Sequence, residues 1–230
     1  MFDQLLVFTR KTLIYTTKCL HPKNLPYYLL AAGLSYALIH TGVDWNWFQF
    51  FSRHHEYQYT LVGAALIGLV MPTIGPILLY RGLRRRDAQQ IETGYSLIQV
   101  VVIALLISTV MKAFTGRFPP EPFSEPSVED YTHRFQFGFL EGGIFEGWPS
   151  SHVMTTFAMI LCVIRLHRSN RVIVAVSCFY GLYMLIGISA TIHWLSDSLS
   201  GAIIGIIIGY TVNNHVEKKN IINGSRTKVY

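Results

Sequence analysis

Six apolar runs follow one another along the chain, at 25–43, 59–80, 95–114, 149–166, 172–190 and 195–212, with polar connections between them. A bilayer core of about 30 Å takes roughly 20 apolar residues in a helix, and lipid offers the backbone no partner beyond its own helical ladder. The pattern therefore predicts an all-α fold, a six-span transmembrane helical bundle occupying 25–212. Ahead of it, in 1–24, the apolar clusters Leu5 to Phe8 and Leu13 to Tyr15 alternate with Arg10, Lys11 and Lys18. That reads as an N-terminal interfacial helix and not as a cleaved signal peptide. Residues 213–230 read as a basic cytoplasmic tail. Pro72 and Pro76 predict a kink in the second span. Gly201, Gly205 and Gly209, four apart in the sixth, predict close helix packing.

Composition agrees with a membrane protein. Of 230 residues, 51% are hydrophobic and only 14% charged, with a mean hydropathy of +0.35, against roughly 25% charged in soluble domains. The net charge of +6 does not point to nucleic acid, because the basic residues sit in short runs between the spans. With the termini inside, Arg10, Lys11, Lys18, Lys23, Arg81, Arg84, Arg85, Arg86, Arg165, Arg168, Arg171, Lys218, Lys219, Arg226 and Lys228 all fall on the cytoplasmic side, as the positive-inside rule asks. The remaining cations are Arg53, Lys112, Arg117 and Arg134, at or beyond the outer ends of spans. Cys19, Cys162 and Cys178 form no CxxC pair and suggest neither a disulfide framework nor a metal site.

Three polar clusters share the outer ends of the spans. Span three closes on Lys112-Ala-Phe-Thr-Gly-Arg117-Phe-Pro119-Pro120, span four opens on Trp148-Pro149-Ser150-Ser151-His152, and span six is entered through His193-Trp-Leu-Ser-Asp197. His193 and Asp197 are four apart, so on a helix a carboxylate can accept the imidazole Nδ1 proton and leave Nε2 free. The first turn after Pro149 offers unpaired backbone N–H groups suited to an anion. Lys112 and Arg117 supply positive charge for phosphate oxygens, and His152 can protonate a leaving oxygen. Each residue alone has a plain structural explanation; their coincidence at one depth reads as a phosphoryl-transfer site.

These motifs, in order and in topological register over about 59–212, resemble the type 2 phosphatidic acid phosphatase superfamily of integral membrane lipid phosphatases. Pro149-Ser150-Ser151-His152 matches that family's Pro-Ser-Gly-His with Ser for Gly, and His193 with Asp197 matches the end of its third motif. Two motif arginines are replaced, one by Pro119 and one by Gly187. The resemblance implies a membrane lipid phosphatase acting at the outer face on a lipid phosphomonoester or diphosphate. It implies His193 as nucleophile through a phosphohistidine, Asp197 orienting it, His152 as acid and base, and Lys112, Arg117, Ser150 and Ser151 holding the phosphate. No cofactor or metal is implied. The expected partners are the lipid phosphate substrate and membrane lipids. The expected place is the plasma or inner membrane, with cytoplasmic termini. A lipid phosphotransferase on the same site, or a lipid-binding or transport protein that has lost turnover with its arginines, are the alternatives.

The long outer loop, 115–147, is acidic, with Glu121, Glu125, Glu129, Asp130, Glu141 and Glu146, and is stiffened by Pro119, Pro120, Pro122 and Pro126. Its aromatic second half is expected at the membrane surface, where it would guide a headgroup to His193. The Trp45, Trp47, Phe48, Phe50 and Phe51 group is expected to be an interfacial belt, and His54 with His55 to be loop.

Overall fold

The computed structural model describes residues 2–121, 123 and 129–226, with side chains over 6–121, 123 and 129–214. Pro122, Glu125, Pro126 and Lys228 lie outside the described residues. Among the described residues the fold is all-helical, with one isolated antiparallel bridge between Arg117 and Phe135. The helices are α1 Phe2–Cys19, α2 Leu25–His40, α3 Val43–Arg53, α4 His55–Leu61, α5 Gly63–Val70, α6 Ile74–Arg85, α7 Ala88–Thr115, α8 Ser151–Leu166, α9 Arg171–Ser189 and α10 Leu195–Arg226.

Local chemistry sets several of these limits. Asp87 accepts from the amides of Gln89 and Gln90 to start α7, Asn170 does the same for Val172 and Ile173 at α9, and Ser150 caps α8 through the Val153 amide. The expected kink is a 3₁₀ turn, Met71–Thr73, with Pro72 in its first positions. Pro72 cannot donate to the helical ladder, so the apolar stretch from His55 to Arg85 is broken there.

Among the described residues, four stretches are long and apolar enough to cross a membrane: His55–Arg85, Ala88–Thr115, Arg171–Ser189 and Leu195–Asn214. Ser151–Leu166 is apolar but spans 16 residues, and Leu25–His40 has the same length. α10 continues as helix to Arg226, into the expected tail at 213–230.

α8 and α10 form the centre. Gly201, Gly205 and Gly209 lie against the carbonyl oxygens of Ser150, Met154 and Ala158; a Cβ there would stand 2.6, 2.3 and 2.7 Å from those oxygens. The glycine row thus lets two backbones touch, which in lipid replaces the hydrophobic drive that water would supply. α7 closes the core from one side, with Leu97, Val100, Ile103 and Ala104 against Met154, Ala158, Ile204 and Ile208. α2 packs on α10 and α9 on α8.

The expected aromatic belt is only partly a belt. Phe48 and Phe51 are buried with Asp44 on one face of α3, while Phe50 is exposed. Phe48 packs edge-on against Trp194. His55 begins α4 instead of lying in a loop, and His54 is the break before it.

Candidate active site

The C-terminal end of α7, the N-terminal end of α8 and the entry to α10 meet at one end of the bundle. Thr115 Oγ1 donates to the Trp148 carbonyl at 2.7 Å, and the Ser150 amide donates to the Asp197 carbonyl at 3.1 Å. These bonds lock the first motif to the second and the second to the third.

A cavity of about 630 Å³ opens at this junction, with Lys112, Ser151, His152, His193, Pro119 and Glu146 in its wall. The rings of His152 and His193 face it with centroids 6.3 Å apart. His152 finds room because Gly68 of α5 has no side chain; a Cβ there would come within 2.9 Å of the ring. Its Nδ1 is buried without a hydrogen-bond partner, and so is the Thr155 hydroxyl one turn further along α8. Lys112 is almost wholly buried and donates to the Phe145 carbonyl at 2.7 Å.

His193 sits between α9 and α10, its amide donating to Ile188 O at 3.0 Å. Its Nδ1 lies 3.5 Å from Asp197 Oδ2. Burial pushes the imidazole below its ordinary value, with Asp197 pulling the other way.

Two of the residues expected to hold phosphate lie behind the cavity wall. Ser150 is fully buried, its hydroxyl accepting from the Val153 amide at 3.5 Å. Arg117 is 2% exposed. Its Nε and Nη2 donate to the Thr132 carbonyl at 2.8 and 2.6 Å, Nη2 also donates to Asp44 Oδ2 at 3.0 Å, and Nη1 donates to Ser196 Oγ at 2.8 Å and to Asp197 Oδ1. Phe135 and Trp194 cover the guanidinium, 4.9 and 5.4 Å from ring centre to Cζ. Asp197 thus turns one oxygen to His193 and the other to Arg117.

Asp44 was not among the residues singled out from the sequence, yet it completes this cluster. It is fully buried, accepts from the Ser196 amide at 2.8 Å and from the Ser196 hydroxyl, and pairs with Arg117. Burial pushes its carboxyl above the usual range, opposed by Arg117 and Ser196. A signal was present: Asp44, Phe48 and Phe51 recur at helical spacing, which puts the acid on a buried face.

The two positions at which the resemblance expects arginines, Pro119 and Gly187, also have places. Pro119 lies in the cavity wall. Gly187 packs against α4 and α5, where a Cβ would stand 2.4 Å from that of Ala64. Among the described residues no three His, Cys, Asp or Glu side chains gather as metal ligands would.

The sequence profile of the PAP2 superfamily matches residues 94–221. The chain belongs to that superfamily. The match runs from within α7 to within α10 and so takes in all three motifs, but begins after Asp44. No curated protein matches the chain. Among solved structures, it resembles one described as the first transmembrane PAP2 type phosphatidylglycerolphosphate phosphatase from Bacillus subtilis, with a TM-score of 0.58 and 16% identity over 86% of this chain and 98% of that one. That likeness supports the fold: a helical membrane PAP2 architecture over most of this chain's length.

Proposed function

We propose that this PAP2 protein is a six-span membrane lipid phosphatase that hydrolyses a lipid phosphomonoester or diphosphate at the outer membrane face through a phosphohistidine. The observation that carries this reading is the pair of imidazoles, from separate elements, lining one cavity beside Lys112 and Ser151.

In this reading His193 Nε2 attacks phosphorus as the P–O bond to the lipid breaks. Asp197 at Nδ1 fixes the tautomer. His152 gives its proton to the departing oxygen, then takes one from water as that water opens the P–N bond and releases phosphate. Lys112, Ser151 and the first amides of α8 hold the phosphoryl oxygens. Arg117 and Ser150 act from behind, Arg117 by holding Asp197 and Ser150 by shaping the start of α8. No metal ion takes part. The termini are cytoplasmic, α1 lies along the cytoplasmic interface, and the exposed Phe137, Phe139 and Phe145 anchor the long loop at the outer surface.

The test is trapping of an acid-labile phosphoprotein during turnover of a panel of lipid phosphates. Wild type should form it, and His193→Ala should form none, with release of phosphate reduced at least a thousandfold. Equal release by both proteins would overturn the assignment of the nucleophile. Appearance of label in an added lipid alcohol in place of water would identify a phosphotransferase.

A further inference from the structure

Among the described residues, few charges surround the cavity, whose wall holds one cation, Lys112, and one carboxylate, Glu146, besides the two histidines. Arg117 adds nothing outward, because its donors end on Asp44, Asp197, Ser196 and Thr132. Arg134 is paired with Glu129 at 2.6 Å. α9 cannot supply a cation at Gly187, where Ala64 and the Leu61 carbonyl fill the space, and the wall position of Pro119 is apolar. α5 and the 3₁₀ turn contribute only Gly68, Leu69 and Pro72.

We infer that this site selects a phosphoryl group carrying a single negative charge, either a lipid phosphodiester or a lipid phosphomonoester in its monoanionic form. One ammonium and the partial charge of the α8 N-terminus match one negative charge. A second negative charge would have no cation of its own and would face Glu146. This rests on the phosphoryl-transfer reading and narrows its substrate. With a diester, His193 Nε2 bonds to phosphorus while the bond to the diacylglycerol oxygen breaks, and His152 protonates that oxygen. Water then opens the P–N bond, its hydroxyl staying on the headgroup phosphate and its proton restoring His152.

Two water-soluble lipids separate the charge states: dihexanoyl phosphatidate, whose second ionisation lies near that of a simple phosphomonoester at about pH 6, and dihexanoyl phosphatidylglycerol, a monoanion throughout. Binding of each to the His193→Ala protein is measured at pH 5 and pH 8, and turnover of each by wild type over the same range. A pH effect on the protein's fold acts on both lipids, so the ratio between them reports the dependence on substrate charge.

The phosphatidate affinity should fall at least tenfold from pH 5 to pH 8 relative to the diester. Glu146→Gln and Pro119→Arg should each recover a large part of that loss at pH 8. A ratio that does not change with pH, or phosphatidate held more tightly at pH 8, would overturn the inference. Turnover of the diester identifies it as the substrate form; a diester that binds without turnover assigns the monoanionic monoester instead, and a diester that does not bind would overturn the inference. Charge-selective binding without His193-dependent turnover would defeat the phosphatase reading alone, whereas turnover at a pH-independent ratio would defeat the charge selection alone.

Discussion

Arg117 has five N–H donors, and its five hydrogen bonds all go to protein acceptors. Its role at the residue scale is to hold two buried carboxylates in one place. Removing it would leave Asp44 and Asp197 buried close together with no cation between them, which costs about 3–5 kcal/mol. Arg117→Leu should therefore lower the unfolding temperature in detergent markedly and reduce kcat through a misplaced His193. Asp44→Asn in the same background should restore part of the stability by removing one of the stranded charges. A protein that melts like wild type but shows a raised KM would instead mark Arg117 as a substrate ligand.

Among the elements, the contact between α8 and α10 governs the site, because it sets the distance from His152 to the Asp197 that orients His193. Gly205→Leu would drive a side chain into the Met154 carbonyl, 2.3 Å from where its Cβ must stand. It should cost several kcal/mol and abolish turnover. Gly33→Ala on α2 meets nothing within 4 Å and should be neutral or add up to about 1 kcal/mol through helix propensity. Melting temperatures of the two variants check both. The glycine row, the Pro72 break and the His193–Asp197 pair were legible in the sequence because each is a local pattern with a fixed period or a fixed backbone consequence. The partners of Arg117 were not legible. Asp44 lies 73 residues away along the chain, and no periodicity connects a cation after one span to an acid before another. Pro119 was read as a lost arginine but not as a wall residue, since only the fold brings it to the histidines.

For the whole molecule, the proposed orientation makes a prediction of its own. With the catalytic end outward, Glu141→Cys in the exposed loop should react with a membrane-impermeant maleimide on intact cells. Arg86→Cys, at the opposite end of α7, should react only after permeabilisation. Cys178, exposed on α9 but within a span, should stay unlabelled in both. Reversal of this pattern would place the active site on the cytoplasmic side.

The acid that secures Arg117 arrives on α3, outside the stretch that matches the superfamily. The shared four-helix region is therefore not a self-sufficient cassette in this protein. A chimera that keeps residues 94–221 and borrows its leading helices from another member would have to bring a carboxylate to the same spot, or Arg117 would keep Thr132, Ser196 and Asp197 but lose its second carboxylate. Relatives that conserve the motifs are thus interchangeable with this chain only where their forward segments also carry the counterion.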